Sequence, residues 1–163
     1  PPSTTPPAPI EYVRVNLLRN PGFESSRRGW NDAGKAGVRL KRVRGGHTGT
    51  WAVRVQRSRG TRTLILNDKR DPASTSQASV YTAGLWVRGR PGDVLRLRLR
   101  ENLTGTKVGQ TATRVTLTRR WQRVTVSLAV RAPGRSTIDV AALLRSGAKR
   151  AWFEADDAEL VES

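Results

Sequence analysis

The chain has 163 residues, a formal net charge of +17 at pH 7 and no cysteine. This length suits one domain with one substantial hydrophobic core, and the lack of cysteine excludes disulfides, thiolate nucleophiles and sulfur-ligated zinc. No apolar stretch approaches the roughly 18 residues that a membrane-spanning helix needs, so the sequence predicts no membrane segment.

The first ten residues differ in composition from the rest of the chain. Residues 1–10, PPSTTPPAPI, are rich in Pro and Thr, which favour an extended polyproline-like conformation and cannot form a core. We therefore predict a Pro/Thr-rich linker at 1–10 and a folded domain at 11–163. A linker of this type tethers one module to another, and we expect an upstream catalytic domain.

The rest of the chain has the pattern of a β protein. Short runs rich in Val, Leu, Thr and Trp alternate with turn-forming clusters, and no 3.6-residue apolar period persists for three turns. The predicted strands are 12–18, 38–43, 50–56, 63–66, 79–88, 93–101, 113–118, 122–130, 137–144 and 151–161, with an irregular loop at 66–77. This spacing predicts an all-β fold, an antiparallel β-sandwich (jelly roll) with two sheets of four to five strands.

One predicted strand places a row of cations on the sheet surface. In the segment 94–100, Leu and Arg alternate, so the Leu side chains should face the core while Arg96, Arg98 and Arg100 line the outer face. Like charges about 7 Å apart repel one another. The pattern therefore indicates either screening by solvent or a ligand of opposite charge.

Several short motifs occur in order along residues 15–162. They are NLLRNPGFE at 16–24 with GW at 29–30, HTG at 47–49 with WAVRV at 51–55, the stretch from Tyr81 to WVRG at 86–89, WQRV at 121–124, and FEADDAEL at 153–160. Together they resemble carbohydrate-binding modules of families four, nine and twenty-two, members of the galactose-binding-like jelly-roll superfamily. The resemblance implies a secreted, non-catalytic module that binds polysaccharide and targets an appended enzyme.

The resemblance also implies a structural calcium ion that ties the first strand to the last. It assigns the ion to Glu24 and Asp156 together with backbone oxygens of the loop 45–50, for which we name Gly46 and Thr50. The chemistry is suitable, because calcium takes six to eight oxygens and a Gly-rich loop can turn its carbonyls inward. The alternative treats these acids as ordinary surface charges.

Two neighbours of this predicted calcium site have expected roles. Asp156 and Asp157 are adjacent on a strand and should point to opposite faces, so Asp156 alone is expected to face the ion. His47, the only histidine, is expected to contribute a carbonyl rather than its imidazole.

The resemblance places the strand 93–101 in a sheet that forms a concave groove. The predicted ligand-binding residues are Arg96, Arg98, Arg100, Arg114 and Asp139, with Thr116 nearby. Because a cleft lined by one sign of charge concentrates ions of the other, we expect a preference for an acidic glycan. The alternatives that stay open are a solvated Arg-rich face with the true site in loops, and an Arg content that reflects only a GC-rich genome.

The aromatic residues of the motifs are predicted to be framework residues. Core packing is the favoured interpretation for the following five, while Trp152 is left open: Trp30, Trp51, Tyr81, Trp86 and Trp121. Without a further aromatic platform, the sequence disfavours a site built for a neutral crystalline glucan.

Other functional classes fit the sequence less well. It contains no GxSxG, HExxH or P-loop motif, so we predict no enzyme activity. Nucleic-acid binding is disfavoured because no helix-turn-helix, RNP or OB pattern is evident. Two alternatives remain, a nonspecific binder of polyanions such as nucleic acid or heparin, and an accessory sandwich that packs on a partner catalytic domain.

Overall fold

The computed structural model describes residues 14–68, 72–78 and 80–163. Within these ranges the chain forms strands and no helix. The described residues therefore contain no helix that could span a membrane. The strands are β1 (Val38–Arg44), β2 (Trp51–Arg57), β3 (Thr63–Asn67), β4 (Ala73–Ser74), β5 (Val80–Gly89), β6 (Val94–Leu103), β7 (Thr106–Thr116), β8 (Gln122–Ala129), β9 (Thr137–Arg145) and β10 (Trp152–Glu162).

The strands form two antiparallel sheets. One has the order β1-β2-β10-β5-β8, and we call it the Trp sheet because it carries Trp51, Trp86 and Trp152. The other has the order β3-β9-β6-β7, with β4 paired to β9, and we call it the Arg sheet. The prediction of an antiparallel sandwich with two sheets of four to five strands is confirmed.

The core lies between the sheets and follows from alternation along the strands. In β6 the side chains of Leu95, Leu97 and Leu99 are fully buried, and in β8 Val124 and Val126 alternate with exposed residues. Burial of the three Leu side chains contributes about 5–8 kcal/mol, whereas unfavourable cross-strand charge pairs cost about 0.2–1 kcal/mol each. The Leu residues therefore decide which way β6 faces, and its Arg residues must point outward.

The predicted first strand is not formed. Tyr12 and Val13 lie outside the described residues, and residues 14–18 are not a strand. The segment is nevertheless fixed to β10: Asn16 Nδ2 donates to the Ala158 carbonyl at 2.8 Å, and the Leu17 amide donates to the Leu160 carbonyl at 2.8 Å. The chain contacts β10 too briefly for a ladder, but these two hydrogen bonds hold the opening motif against the closing strand.

Two further boundaries differ from the prediction. The region 66–77 was expected to be irregular, but it contains the end of β3 and the short strand β4. Residues 69–71 of this region lie outside the described residues. Strand β7 begins at Thr106 rather than at residue 113, because Thr104 and Gly105 turn the chain with φ values of 47° and 83°. Positive φ at both central residues is the geometry of a two-residue hairpin turn that matches the twist of the strands.

A buried carboxylate closes one end of the sandwich. Glu101, at an inward position of β6, is fully buried and accepts hydrogen bonds from the Arg131 amide, the Ala132 amide and the Ser136 hydroxyl, each at 2.8 Å. Burial alone would raise the pKa of Glu101, but these hydrogen bonds and the Arg131 charge outweigh it and the pKa is lowered. Glu101 thus fixes the loop between β8 and β9.

Candidate functional site

The outer face of the Arg sheet brings together the five predicted ligand-binding residues. On β6, Arg96 lies opposite Arg114 of β7 and Arg100 lies opposite Asp139 of β9. Arg98 lies between them, opposite small residues on both neighbouring strands. The predicted outward direction of the three β6 arginines is therefore correct.

The charge on this face is less uniform than the sequence suggests, because Asp139 neutralises part of it. Asp139 is 1% exposed; its Oδ2 lies 2.9 Å from Arg100 Nε, and its Oδ1 lies 3.5 Å from Arg98 Nη2. Burial and the neighbouring charge of Arg100 lower the pKa of Arg98, while Asp139 opposes this effect. Arg98 and Arg100 are thus occupied by an internal carboxylate and are not two free cations.

A small pocket on this face is lined mainly by polar residues. This Asp139 pocket, of about 180 Å³, is lined by Pro72, Asn102, Gly105, Thr137 and Asp139. Asn102 Nδ2 donates to Asp139 Oδ2 at 2.9 Å, while Asp139 Oδ1 is paired with Arg98 Nη2 at the longer distance of 3.5 Å. Asn102 and Thr137 are partly exposed, so the pocket offers an amide and a hydroxyl group to a ligand.

A second groove lies further along β6. This arginine groove, of about 430 Å³, is lined by Thr63, Val94, Arg96, Arg114, Leu143 and Arg145. None of its three Arg side chains forms an ion pair or hydrogen bond to a described residue. Arg145 was not predicted to bind ligand, because the predicted strand ended at residue 144. Asp139 and Arg145 are an even number of residues apart on β9, so alternation places both side chains on the same outward face.

The aromatic side chains divide into two groups. Trp30 and Tyr81 are buried in the core as predicted. Core packing was wrong for Trp51, Trp86 and Trp121, which are half-buried at the surface. Trp51 and Trp86 point outward from the Trp sheet, and Trp121 lies just before β8. None of the three therefore lies between the sheets.

Each of the half-buried indoles is covered by a planar or cationic side chain. The His47 ring stacks on Trp86 with centroids 3.6 Å apart. Each of the other three indoles is in contact with an Arg side chain, whose guanidinium carbon lies 4.3–4.7 Å from the ring centre. The pairs are Arg42 on Trp51, Arg88 on Trp121 and Arg54 on Trp152. Such contacts stabilise the indole and cover part of its surface.

The predicted calcium residues also come together, at the edge of the Trp sheet. Glu24 accepts hydrogen bonds from the Thr50 amide at 3.1 Å and the Trp51 amide at 3.0 Å. Asp156 is fully buried, and its Oδ2 accepts from the His47 amide at 2.7 Å. Both acids therefore converge on the loop 45–50, which joins β1 to β2.

The expectation that Asp156 and Asp157 point to opposite faces is wrong. Asp157 has a φ of 44°, and the register of β10 against β5 shifts between Asp156 and Glu159. This bulge breaks the alternation, so Asp157 also meets the loop, with Oδ2 2.7 Å from His47 Nδ1. A positive φ in a non-glycine residue is strained and persists where the surroundings hold it.

The loop carries an oxygen-lined cradle beside Gly46. A β-carbon at this position would lie 2.5 Å from the Thr48 carbonyl oxygen, 2.7 Å from the Trp51 carbonyl oxygen and 2.8 Å from Asp156 Oδ2. The carbonyl of Thr50, one of the predicted ligands, accepts a hydrogen bond from the Gly45 amide at 3.0 Å. The Thr48 and Trp51 carbonyls were not predicted, because a loop's carbonyl directions depend on its backbone angles.

The oxygen atoms around this cradle are mostly backbone carbonyls, with Asp156 as the carboxylate. Among the described residues no three His, Cys, Asp or Glu side chains form a group that could hold a metal ion. Burial, and less strongly the charge of Asp157, raise the pKa of Asp156 to about 6 although backbone hydrogen bonds oppose the shift. A cation beside Asp156 would favour its ionised form.

Comparison with known proteins supports the fold. No protein-family model matches the sequence, and no curated protein matches it. A family 61 carbohydrate-binding module in complex with β-1,4-galactotriose has a TM-score of 0.65 and 22% identity, over 91% of this chain and 99% of its own. The CBM22-2 xylan-binding domain of Paenibacillus barcinonensis Xyn10C has a TM-score of 0.61 and 16% identity, over 87% and 97%.

A third structure includes a neighbouring catalytic module. The CBM22-1 and GH10 modules of Clostridium thermocellum endo-1,4-β-D-xylanase 10B, complexed with xylohexaose, match with a TM-score of 0.67 and 17% identity. The match covers 90% of this chain and 29% of that one. Together these likenesses define the class of architecture: the chain has the jelly-roll fold of carbohydrate-binding modules, as the sequence motifs indicated.

Proposed function

We propose that this chain is a non-catalytic carbohydrate-binding module that binds polysaccharide on the outer face of the Arg sheet. The observation that carries the proposal is the Asp139 pocket, where the partly exposed side chains of Asn102 and Thr137 lie beside the Asp139 carboxylate. An acceptor and a donor on the same face suit sugar hydroxyls, which donate and accept hydrogen bonds. The likeness in fold to modules solved with bound oligosaccharides supports the same assignment.

The polysaccharide is proposed to be acidic. Arg96 and Arg114 lie directly opposite each other and have no carboxylate partner in the described part of the chain, so an anionic substituent would relieve their repulsion. Arg98, Arg100 and Asp139 then act as a neutralised set that binds hydroxyls. This division refines the predicted role of the five residues.

The module is proposed to be extracellular and to target an appended secreted enzyme. Support comes from the Pro/Thr-rich composition of residues 1–10, which lie outside the described residues, and from the xylanase structure in which a module of this fold accompanies a GH10 module.

A structural calcium ion is proposed at the Gly46 cradle. Asp156 and the Thr48 and Trp51 carbonyls lie around Gly46, and the Glu24 carboxylate lies beside Gly49 of the same loop. These oxygens would bind the ion, with Gly46 and Thr50 as part of the loop that presents them. The donor set fits, since calcium accepts mixed carboxylate and carbonyl ligands. When bound, the ion would fix the loop 45–50 against β10.

Polysaccharide binding can be tested with a variant in the Asp139 pocket. Asn102→Ala removes the hydrogen bond from Asn102 Nδ2 to the Asp139 carboxylate and is expected to weaken polysaccharide binding about tenfold. A hydrogen bond to a charged group contributes about 1.5–3 kcal/mol, and 1.4 kcal/mol corresponds to a factor of ten in affinity. Affinity electrophoresis against neutral, uronate-bearing and sulfated polysaccharides, at about 150 mM salt to screen surface charge, provides the measurement.

Thr125→Ala is the matched control, because Thr125 is exposed on β8 of the other sheet. It should leave binding unchanged. Equal binding of wild type and Asn102→Ala to every polysaccharide would contradict the proposed face. The nonspecific alternative predicts instead that DNA, heparin and alginate bind alike and are all lost steeply as salt rises.

A further inference from the structure

We propose that the arginine groove is a subsite for a tetrahedral oxyanion, a sulfate or phosphate ester carried by the polysaccharide. This inference rests on the proposed function and names the chemical group that the acidic ligand bears. It adds Arg145 and Thr63 to the residues that contact the ligand.

The first argument is the contrast between the two ends of β6. Arg98 and Arg100 share the buried carboxylate of Asp139, whereas Arg96, Arg114 and Arg145 have no anionic partner among the residues that the structure describes. Arg96 and Arg114 lie on adjacent strands at a directly paired position, where like charges destabilise a sheet. The same sheet therefore compensates its cations at one end and leaves three of them uncompensated around one groove at the other.

The second argument is the direction from which these cations approach. The three cations lie on neighbouring strands of the Arg sheet, Arg114 on β7, Arg96 on β6 and Arg145 on β9. Arg145 lies opposite Thr63 of β3. A planar carboxylate has two oxygens, which suit one bidentate guanidinium. Three guanidiniums around one groove match a group with three terminal oxygens, to which the Thr63 hydroxyl can add a donor.

The third argument is the shape of the groove and its place on the face. Val94 and Leu143 add apolar surface beside the guanidiniums, and Arg114 and Arg145 are exposed, so an ester group on a large polymer can reach the groove from solvent. Leu143 pairs with Arg96, four residues along β9 from Asp139, which corresponds to about 13 Å along the strand. A ligand that fills both places is thus an extended chain whose ester group lies well away from the hydroxyls bound at Asp139.

The direct test uses small anions and the intact protein. Inorganic sulfate and inorganic phosphate, titrated at constant ionic strength, are expected to shift the Nε–H NMR signals of Arg96, Arg114 and Arg145, and acetate is expected to shift them much less. Shifts that are equal for acetate and sulfate would overturn the preference for a tetrahedral group. Shifts absent with all three anions would overturn the subsite itself.

The second test uses polysaccharides and a charge-matched control. Arg145→Gln is expected to weaken binding of a sulfated or a phosphorylated polysaccharide tenfold or more and to leave a neutral one unchanged; the two ester-bearing polymers distinguish the sources of the oxyanion. Arg119→Gln removes one exposed charge elsewhere and should change binding less than twofold. Equal losses in both variants would indicate only general charge attraction and would overturn the subsite.

The outcomes separate this inference from the proposed function. Binding that depends on Asn102 but not on Arg145 would refute the subsite and leave the polysaccharide-binding face intact. Oxyanion shifts at the three Arg signals without binding of any polysaccharide would support the subsite and refute the proposed function.

Discussion

Calcium is expected to raise the thermal unfolding midpoint of this protein, and Gly46→Ala is expected to abolish that increase. A ligand present at about 100 times its dissociation constant stabilises the folded state by about 2.7 kcal/mol. For a chain of this size, about 2–4 °C accompanies each kcal/mol, so the midpoint should rise by about 5–10 °C. Differential scanning calorimetry in calcium and in EGTA measures the difference.

The Gly46→Ala variant is informative because of the atoms around that position. Its methyl group would occupy the space among the Thr48 carbonyl, the Trp51 carbonyl and Asp156 Oδ2, all within 2.8 Å. The readout is the increment produced by calcium, which separates loss of the ion from any destabilisation of the loop itself.

Gly147→Ala provides the matched control, because a β-carbon there has no atom within 4 Å and the position has no positive φ. It should retain the full calcium increment. Magnesium, which demands shorter and more regular coordination, should produce a smaller increment. Identical midpoints of the wild-type protein in calcium and in EGTA would contradict the calcium proposal.

Glu101→Gln is expected to destabilise the fold by about 2–4 kcal/mol at neutral pH. The carboxylate accepts three hydrogen bonds from the loop between β8 and β9. Each hydrogen bond to a charged group contributes about 1.5–3 kcal/mol, and the substitution removes only part of the total. A Gln amide can accept at one oxygen only, and its NH₂ group would face donors. Urea unfolding monitored by fluorescence gives the free energy of unfolding.

The pH dependence of this difference follows from the lowered pKa of Glu101. A carboxylate with a folded pKa below its unfolded value near 4.5 stabilises the fold fully above that value and loses the effect as pH falls through the folded pKa. The gap between wild type and variant should therefore be constant at about pH 6–8 and shrink below about pH 4.5.

Glu159→Gln is the control for charge removal. Its ion pair with Arg123 is exposed at the surface, with side chains 36% and 51% exposed, so the expected cost is below about 1 kcal/mol. A Glu101→Gln variant as stable as Glu159→Gln would show that the three hydrogen bonds do not hold the loop.

Much of the fold could be predicted because β6 obeys simple alternation. Leu and Arg at successive positions fix which face is buried, and the three outward arginines were identified correctly from this pattern alone. The neutralising role of Asp139 could not be predicted, since it depends on the register between β6 and β9, two strands far apart in sequence. Register is set by tertiary packing rather than by local residue choice.

The errors arose where the backbone departs from regular strand geometry. The bulge after Asp156 turns Asp157 toward His47, which alternation forbids. The turn at Thr104 places a β-branched residue at positive φ, a conformation such residues rarely adopt, so the start of β7 gave little local signal. The contacts on the tryptophans likewise depend on Arg residues and on His47, which are supplied by other parts of the chain.

The covering of the indoles on the Trp sheet gives the molecule two unlike sides. One side presents the arginine groove and the Asp139 pocket, while the other presents a pocket at Trp152 that is smaller than the arginine groove. The other side also carries four half-buried indoles, Trp51, Trp86, Trp121 and Trp152, each in contact with a His or Arg side chain of the protein itself. A polymer strand would then be held from a single direction. A monomer of this kind should coat a fibre without bridging two of them, so mixing it with a soluble polysaccharide should not cause gelling or precipitation.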